Sequence, residues 1–528
     1  MASTTTKKKL TIRLFAVSLV LLMLFSVKSV VGKRPTESEV VSSSAENFNP
    51  LTDCFEGYNL YILERQAIYT HIVIDRKILV TDMDNSILYE KEIPNTVAVA
   101  DVQFYNTSTV LYGDFRSINM WNIETDETVD LGFVGHHETE INYLNNTFLT
   151  MCENEVEIED TIYEYDNITE YDFNGTFIRS IDTRDFVEPW QNCPFVERIN
   201  NTIDLTHANS VFFDENEQAI YLNCRNLNTF YKIDYNTGEL IWGLGEYGNF
   251  TMFDINGRER EFLFFHPHSL EKISENEFLL FDNDYHNQTN LINRQSRFIC
   301  ITIDEDSMTA NITREWIGPE EYFSHVWGDC DLLPNNNWFG VFGYTQIRGL
   351  ETGSKFVEVN GEGEIVWLLE SPLEQEIKYT TYRVERVRFT PIVSTPAFTS
   401  SGNISHFEWD VWYNFKARTS FEGEYYIYLD DQLVEDGNIT FPKYWHPTQV
   451  NYTIEGLDEG KHEITLIVSD GEGHLSNESE FYTGEFKFRI GQNYLAVTLG
   501  VSLGIGIPII ATSVIFVRKT KLKNSLKQ

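Results

Sequence analysis

The sequence predicts an all-β protein: a β-propeller of about six blades, followed by a β-sandwich and a single C-terminal transmembrane helix. Short apolar runs alternate with Gly/Asn turns, as in TFYKIDYNTGELIWGLG and KFVEVNGEGEIVWLLE. A second pattern recurs at His137, His207, His268 and Gly328, at intervals of 70, 61 and 60 residues. Four-stranded units that repeat at such intervals are typical of propellers.

Each repeat begins with a strand and reaches a polar turn. After His137, His268 and Gly328 the residue eight positions on is an asparagine, and after His207 the asparagine comes one position later. These asparagines are Asn145, Asn276, Asn336 and Asn216. An apolar strand follows soon after. The repeats place the propeller at residues 51–375.

Residues 378–490 differ from the repeats because they contain no cysteine and lack the histidine pattern. GEYYIYLDDQLVEDG and GKHEITLIVSDGEGHLS alternate apolar and polar residues, as half-solvated sandwich strands do. We expect an immunoglobulin-like or fibronectin-like sandwich that spaces the propeller from a membrane.

The two ends of the chain predict export and anchoring. Residues 1–32 have basic residues before a short apolar stretch, which is typical of a secretory signal peptide, with an uncleaved anchor as the alternative. Residues 33–50 form a Ser/Glu-rich linker. Residues 494–517 carry no charge and are long enough to cross a bilayer, and the basic tail 518–528 places that end in the cytoplasm. The sequence predicts a single-pass type I cell-membrane protein with an extracellular body.

The charge of the body excludes several partners. Ten of the 40 basic residues lie in the two terminal segments, so the part between them carries a formal net charge of −50. Such a body repels nucleic acid and anionic lipid headgroups. Twelve N-x-S/T sequons fit a glycosylated exterior. The six cysteines form no CxxC motif or Cys/His cluster, so we expect no metal site, and their pairing is left open.

The repeated histidines predict a site. Equivalent residues of successive blades converge where the innermost strands line the central channel, so His137, His207 and His268 should meet there. Asn209 should face the same way as His207, two positions away on a strand, and Arg225 ends the next strand of that blade. Imidazoles, an amide and a guanidinium are good hydrogen-bond donors to charged oxygens. The pattern predicts a concave polar site for an anion.

These residues carry a resemblance to a known family. THANSVFFDENEQAIYLNCRNLNTFYKIDYNTGELIWGLG, FHPHSLEKISENEFLLFDND and QSRF, together with GHHETEINYLNNTF, resemble the arylsulfate sulfotransferases, exported six-bladed propellers that use no phosphosulfate nucleotide. The resemblance covers roughly residues 130–370. It implies transfer of a sulfuryl group from a phenolic sulfate ester to another phenol, without a cofactor.

The resemblance also implies a role for each residue. His268 would attack sulfur and form a sulfohistidine, while Arg225, His207 and Asn209 hold the sulfuryl oxygens. His137 would protonate the leaving phenolate and then deprotonate the acceptor. The chain differs from the family in the residues beside His268, which are Pro267 and Ser269, and in having its sandwich at the C-terminal side. His266 could compete for the role of His268.

A binding protein is the alternative from another class. A glycosylated, anchored propeller that recognises a cell-surface glycan or protein would have the same architecture without chemistry. Trp242 and Trp367 are expected to pack blades, although quinone-dependent propellers carry similar residues. The acidic stretch ENEVEIEDTIYEYD is expected to be a solvated loop, with calcium binding as its alternative.

Overall fold

The computed structural model of the chain describes residues 54–68, 72–94, 101–113, 117–191, 198–199, 201–285, 294–347, 350–372, 376–401, 404–457, 460–476 and 485–490. The signal peptide, the linker 33–50, the transmembrane helix and the basic tail of the sequence analysis all lie outside these residues. Within them, no helix is long and apolar enough to span a membrane.

The described residues form strands and four short 3₁₀ helices, so the predicted all-β class is confirmed. The 3₁₀ helices are Thr183–Asp185, Arg225–Leu227, Glu320–Tyr322 and Lys443–Trp445.

Six sheets follow one another along the first part of the chain. The strands of the first three are β1 (Tyr58–Ala67), β2 (Val73–Thr81), β3 (Ile87–Ile93), β4 (Val102–Asn106), β5 (Thr109–Gly113), β6 (Ile118–Asn122), β7 (Thr128–Asp130), β8 (His136–Asn142), β9 (Thr147–Ile158), β10 (Thr161–Asp172), β11 (Phe177–Ile181), β12 (Arg198–Ile199) and β13 (Thr202–Asp204). The first sheet contains β1–β3, the second β4–β7 and the third β8–β13.

The next three sheets repeat the arrangement. Their strands are β14 (Ala208–Asp214), β15 (Ala219–Cys224), β16 (Thr229–Asp234), β17 (Leu240–Gly245), β18 (Thr251–Phe253), β19 (Glu259–Arg260), β20 (His268–Ser274), β21 (Glu277–Asp282), β22 (Arg297–Asp304), β23 (Thr309–Ile317), β24 (Asp329–Leu332), β25 (Trp338–Ile347), β26 (Leu350–Val359) and β27 (Ile365–Glu370). The fourth sheet contains β14–β17, the fifth β18–β23 and the sixth β24–β27.

The sequence of each strand matches its distance from the centre. Every residue of β14 and β15 is buried, because neighbouring sheets cover both faces of these strands. The outer strand β3 exposes most of its residues and alternates along its length. The continuous run VFFD in β14 and the alternating ILYEKEI in β3 therefore reflect inner and outer positions.

Strands from later in the chain complete the first sheet. β28 (Ile377–Thr380) and β29 (Val384–Val387) both pair with β1 in antiparallel register. The sheet thus joins the beginning of the six-sheet region to its end, which closes the ring.

Hydrogen bonds and an ion pair connect the innermost strands around this ring. Each links one sheet to the next: Thr139 N to Asp101, Val211 N to Glu138, Leu270 N to Ser210, Ser269 to Asp329, Val384 N to Asp329, and Arg383 to Asp101. Six sheets whose innermost strands are joined in a closed ring form a propeller. The predicted propeller is therefore confirmed in outline.

Two more four-stranded sheets follow. The seventh contains β30 (Ile392–Val393), β31 (Ala397–Ser401), β32 (Ile404–Trp412) and β35 (Thr448–Glu455), and the eighth contains β33 (Phe421–Leu429), β34 (Gln432–Phe441), β36 (Gly460–Ser469) and β37 (Glu485–Ile490). Trp409 of the seventh sheet and Ile427 and Leu466 of the eighth share one apolar core. The two sheets pack face to face; their assignment to the immunoglobulin or fibronectin class stays a prediction.

The boundary between the two regions differs from the prediction. The sequence analysis ended the propeller at 375 and began the sandwich at 378, whereas Ile377–Thr380 and Val384–Val387 belong to the first propeller sheet. The region changes between Val387 and Ile392. Strands that close a ring alternate apolar and polar residues as sandwich strands do, so the sequence pattern does not separate them.

The sandwich is joined to the propeller by buried charges. Between β32 and β33, Lys416 and Arg418 enter the end of the channel, where Arg418 pairs with Glu138 at 2.7 Å, Glu140 at 2.5 Å and Glu271 at 2.7 Å. Lys416 lies 3.3 Å from Glu271 and also pairs with Asp331. The sandwich is therefore docked on the propeller rather than held apart from it as a spacer.

Two smaller expectations can also be compared with the structure. The acidic stretch ENEVEIEDTIYEYD forms most of the long β9–β10 hairpin, not a loop. Pairing along twelve residues organises its backbone, and Asp166 at the end of the stretch is buried. The five cysteines within the described residues are free thiols: Cys54, Cys152, Cys224, Cys300 and Cys330.

Candidate active site

The four repeat positions lie at the same end of the channel. His137 is the second residue of β8, and His268 is the first residue of β20. His207 immediately precedes β14, and Gly328 immediately precedes β24. The backbone has positive φ at several residues here: His137 (61°), His207 (41°), His266 (52°), Ser269 (52°) and Trp327 (60°). Positive φ at residues other than glycine is strained, and such strain clusters at functional sites.

The structure brings the three predicted histidines together. The rings of His137 and His207 are 5.0 Å apart between centroids. Tyr382, between β28 and β29, lies 5.9 Å from the ring of His137 and 5.9 Å from that of His268. Tyr382 is buried, and its hydroxyl donates to the carbonyl of Asn209 at 3.3 Å. Its ring therefore packs against two of the three imidazoles, those of His137 and His268.

His268 is held in one tautomer. Asn283 donates from Nδ2 to the carbonyls of Ser324 and Trp327, at 2.8 Å each, which fixes its Oδ1 as the atom facing His268. Nδ1 of His268, 2.7 Å from that oxygen, must carry the proton. Nε2 is then the unprotonated nitrogen, and it accepts a hydrogen bond from the backbone N–H of Trp327 at 3.3 Å.

The surroundings of His268 also keep it neutral. Burial lowers the pKa of its imidazole well below the ordinary value, and the nearby Arg225 guanidinium lowers this pKa further. A neutral histidine with no proton on Nε2 is the form required of a nucleophile.

Arg225 and His207 occupy one corner of the site. The backbone N–H of Arg225 donates to the carbonyl of His207 at 3.2 Å, and Nδ1 of His207 contacts the carboxylate of Asp204. Burial lowers the pKa of both His137 and His268, and the charge of Arg225 lowers both further.

His137 belongs to a chain of proton-carrying groups. Nε2 of His136 lies 3.0 Å from Asp166, and Nδ1 of His136 lies 2.7 Å from Nδ1 of His137. The effects of burial and of Asp166 on the His136 pKa are opposed, and the carboxylate prevails, so this pKa is raised. Burial, His136 and other neighbours hold the pKa of His137 well below its ordinary value. His136 therefore donates to a neutral His137, whose proton is on Nε2.

Asn209 binds the backbone next to His268 and not the interior of the site. Its Nδ2 donates to the carbonyl of Pro267 at 2.9 Å, and its Oδ1 accepts from Asn223 at 2.6 Å. The structure thus places Asn209 against the residue before His268, where it supports the backbone of that turn. His266, the other candidate in this turn, directs its ring to Tyr285 at 5.3 Å.

Sequence reasoning missed several of these residues: Asp166, Asp204, His136, Asn283 and Tyr382. The spacing in DLTH, which sets Asp204 three residues before His207, and the asparagine in FDND were usable signals. Tyr382 had none, since it reaches the site only because β28 and β29 close the ring.

The chemistry available follows from this geometry. The site contains a neutral imidazole with one unprotonated nitrogen, the guanidinium of Arg225, and a second histidine with an exchangeable proton. Among the described residues, the acidic cluster with metal-ligand spacing is Asp329, Asp331 and Glu385, at the other end of the channel. Lys416 pairs with Asp331 there.

Comparison with protein families matches residues 99–383, more than half of the chain, to the arylsulfotransferase (ASST) family. The chain belongs to this family, and the resemblance seen in its motifs is confirmed.

Other comparisons are distant. No curated protein sequence matches the chain. Among solved structures, a periplasmic gluconolactonase of Pseudomonas aeruginosa is 10% identical, with 75% of this chain and 99% of that chain covered and a TM-score of 0.35. The hydrazine synthase of Kuenenia stuttgartiensis is 11% identical, with 58% and 73% covered and a TM-score of 0.28.

Proposed function

We propose that the protein is an aryl sulfotransferase that moves a sulfuryl group from a phenolic sulfate ester to a phenol through a sulfohistidine at His268. The observation that carries this proposal is the fixed tautomer of His268. Asn283 holds the proton on Nδ1 and burial keeps the ring neutral by lowering its pKa, so Nε2 carries an electron pair that can attack sulfur.

In the first half-reaction, Nε2 of His268 attacks sulfur and the bond from sulfur to the phenolic oxygen breaks. The Arg225 guanidinium, with His207 beside it, stabilises the charged sulfuryl oxygens during transfer. His137 gives its Nε2 proton to the leaving phenolate and regains one on Nδ1 from His136. Asp166 stays ionised beside His136, since this pair lowers its pKa in spite of burial.

In the second half-reaction the transfers reverse. The acceptor phenol gives its proton to His137, which returns the Nδ1 proton to His136, while the phenol oxygen attacks the sulfur of sulfohistidine. The bond from sulfur to Nε2 breaks and restores neutral His268. Each half-reaction conserves the proton, so no cofactor is needed.

The experiment uses the full-length chain in detergent with 4-nitrophenyl sulfate and excess phenol, and follows nitrophenolate release. We expect phenol-dependent release that falls about 10⁴-fold or more in His268→Ala, since a nucleophile is lost. His406→Ala, on β32 of the sandwich, is the matched control and should keep full activity.

Two outcomes separate this proposal from the alternative. Acid-quenched wild type incubated without phenol should carry one sulfuryl group on His268, detected by peptide mass spectrometry. Normal turnover by folded His268→Ala would refute the sulfohistidine, and a folded wild type inactive on every aryl sulfate tried would favour a non-catalytic surface binding protein.

We also propose that residues 494–517 anchor the enzyme in the cell membrane, with its glycosylated body outside. The support is the uncharged stretch followed by basic residues, and the twelve sequons of the body. Resistance of the chain to alkaline extraction, and its digestion by protease added to intact cells, would be the expected results.

A further inference from the structure

Arg294 is a buried cation that the proposed reaction does not use. It is 5% exposed, and its Nε and Nη2 have no hydrogen-bond partner. Among the residues that the structure describes, it forms no ion pair. A buried guanidinium with unused donors is costly unless an anion meets it. Arg294 therefore points to an anionic ligand.

The surroundings of Arg294 are aromatic. Its guanidinium carbon lies 5.2 Å from the ring of Tyr285 and 5.7 Å from that of Phe323. Tyr285 in turn lies 5.8 Å from the ring of His325, whose Nδ1 is also buried without a partner. Aromatic faces and unused donors together suit a ligand that is both planar and charged.

This group is built on the same loops as His268. Ser296, two residues after Arg294, donates to the carbonyls of Asn283 at 3.2 Å and Ser324 at 3.1 Å. Asn283 is the residue that fixes His268, and Ser324 precedes His325. Loops tied by these bonds hold Arg294 and His325 in a constant position relative to the nucleophile.

A series of ring contacts also leads from this group to the nucleophile. His325 lies 5.1 Å from Tyr344, Tyr344 lies 5.8 Å from Trp327, and Trp327 lies 6.2 Å from Tyr382. Tyr382 contacts His268. Burial lowers the pKa of both His325 and His268, and the charge of Arg225 lowers both further.

We propose that Arg294 and His325 form a second anion-binding subsite, which takes a carboxylate carried on the aromatic ring of the sulfate ester. The inference rests on the proposed sulfuryl transfer at His268 and names the substrate class of that site: aryl sulfates with a second anionic group. Because the leaving phenol and the accepting phenol occupy the site in turn, the subsite selects both.

The first test measures binding, which does not require activity. The full-length chain is titrated calorimetrically with 3- and 4-hydroxybenzoate and with the matching hydroxybenzamides, which are neutral and similar in size. We expect at least one acid to bind about tenfold or more tightly than its amide, the effect of a charge-assisted hydrogen bond. Arg294→Gln should remove this preference, and Arg294→Lys should retain part of it.

A matched control is Arg258→Gln, which removes the same charge from an exposed turn of the same sheet. It should leave the preference unchanged. Equal binding of acid and amide by the wild type would overturn the subsite whether or not Arg294→Gln folds. A preference that survives in folded Arg294→Gln would overturn it as well.

The second test uses the sulfate esters of the same compounds as donors. The carboxylated donor should have a kcat/KM about tenfold above that of the amide, and Arg294→Gln should lower only the former. If no donor is turned over but the binding preference depends on Arg294, the subsite stands and the proposed function fails. If transfer occurs without any preference for the acid, the subsite fails alone.

Discussion

The two ends of the propeller channel are lined by the same innermost strands and have opposite chemistry. At one end, near the start of these strands, lie His137 and His268, whose imidazoles are kept neutral because burial lowers the pKa of each. Three residues further along, the same strands carry Glu140 and Glu271, and Arg418 pairs with both. One end has its charges satisfied by the sandwich, while the other retains donors for a ligand.

This difference shows where carboxylates can lie along the channel. A strand advances about 3.3 Å per residue, so some 10 Å separates the two layers. At the histidine end, the carboxylates would repel the anionic substrate proposed for that site. The carboxylates lie instead at the far end, where they are buried and paired with Lys416 and Arg418. There they connect the propeller to the sandwich.

The largest expected effect comes from breaking the carboxylate end. Arg418→Met leaves Glu138, Glu140 and Glu271 without a shared partner, and loss of one member of a buried ion network costs about 3–5 kcal/mol. We expect a large drop in Tm by calorimetry. Arg258→Met, in an exposed turn, is the control, and an equal Tm for both variants would show that the joint contributes nothing.

A change at the histidine end should act on rate more than on stability. Asn283→Asp places a carboxylate beside Nδ1 of His268, which raises the pKa of that imidazole and favours a protonated, unreactive Nε2. We expect turnover near neutral pH to fall about 100-fold and the acidic limb of the rate profile to move to higher pH, because the depressed pKa of His268 now rises. An unshifted limb would contradict the assigned role of Asn283, and Asn256→Asp should leave the profile unchanged.

The carboxylate end should also set how stability varies with pH. Burial raises the pKa of Glu140 to about 7, so the folded state binds more protons than the unfolded chain between about pH 4.5 and 7, and stability falls as pH rises through that window. Glu271 acts oppositely: burial alone would raise its pKa, but Arg418 and Lys416 lower it to about 2, so its contribution is lost as pH falls below about 4.5.

The measurement is Tm across pH for the wild type and Glu140→Gln. The wild type should be most stable near pH 5, and the variant should lose about 2 kcal/mol less between pH 5 and 8. Parallel curves would exclude Glu140 as the titrating group.

The smallest effect is expected at the edge of the histidine end. Asp204→Asn keeps a side chain of similar size beside Nδ1 of His207 but removes its charge. Groups that orient a ligand-binding histidine contribute about tenfold, so kcat/KM should fall by that amount while Tm changes little. Asp254→Asn, in the half-buried turn between β18 and β19, serves as the comparison; a fall of similar size there would deny Asp204 any special part.

More of the histidine end than of the carboxylate end could be predicted from the sequence. A shared repeat position indicated that His137, His207 and His268 meet, because a propeller superimposes equivalent residues around its axis. The same repeats held Glu140, Glu271 and Asp331 three positions later, a signal that was present but not used. The sequence around Lys416 and Arg418 does not indicate that they pair with propeller carboxylates. Except for Asp331 and Glu385, their partners are well over a hundred residues away in the chain.

Residue types also misled in informative ways. Asn209 was expected among the substrate ligands, yet its amide binds the backbone at Pro267. A polar residue at a channel-facing position can equally serve a neighbouring strand, and periodicity does not distinguish the two. The tautomer of His268 depended on Asn283, Ser324 and Trp327 together, which only three-dimensional packing could bring into contact.

Ring closure has a consequence for the order in which the protein becomes functional. All predicted site residues, from His137 to His268, are synthesised well before the segment between β28 and β29 that supplies Tyr382 and Arg383. Until that segment is made, the chain has its histidines without the Tyr382 ring against which His137 and His268 pack, and a polypeptide that stops before residue 382 lacks this ring. Completion of the site is thus tied to completion of the propeller.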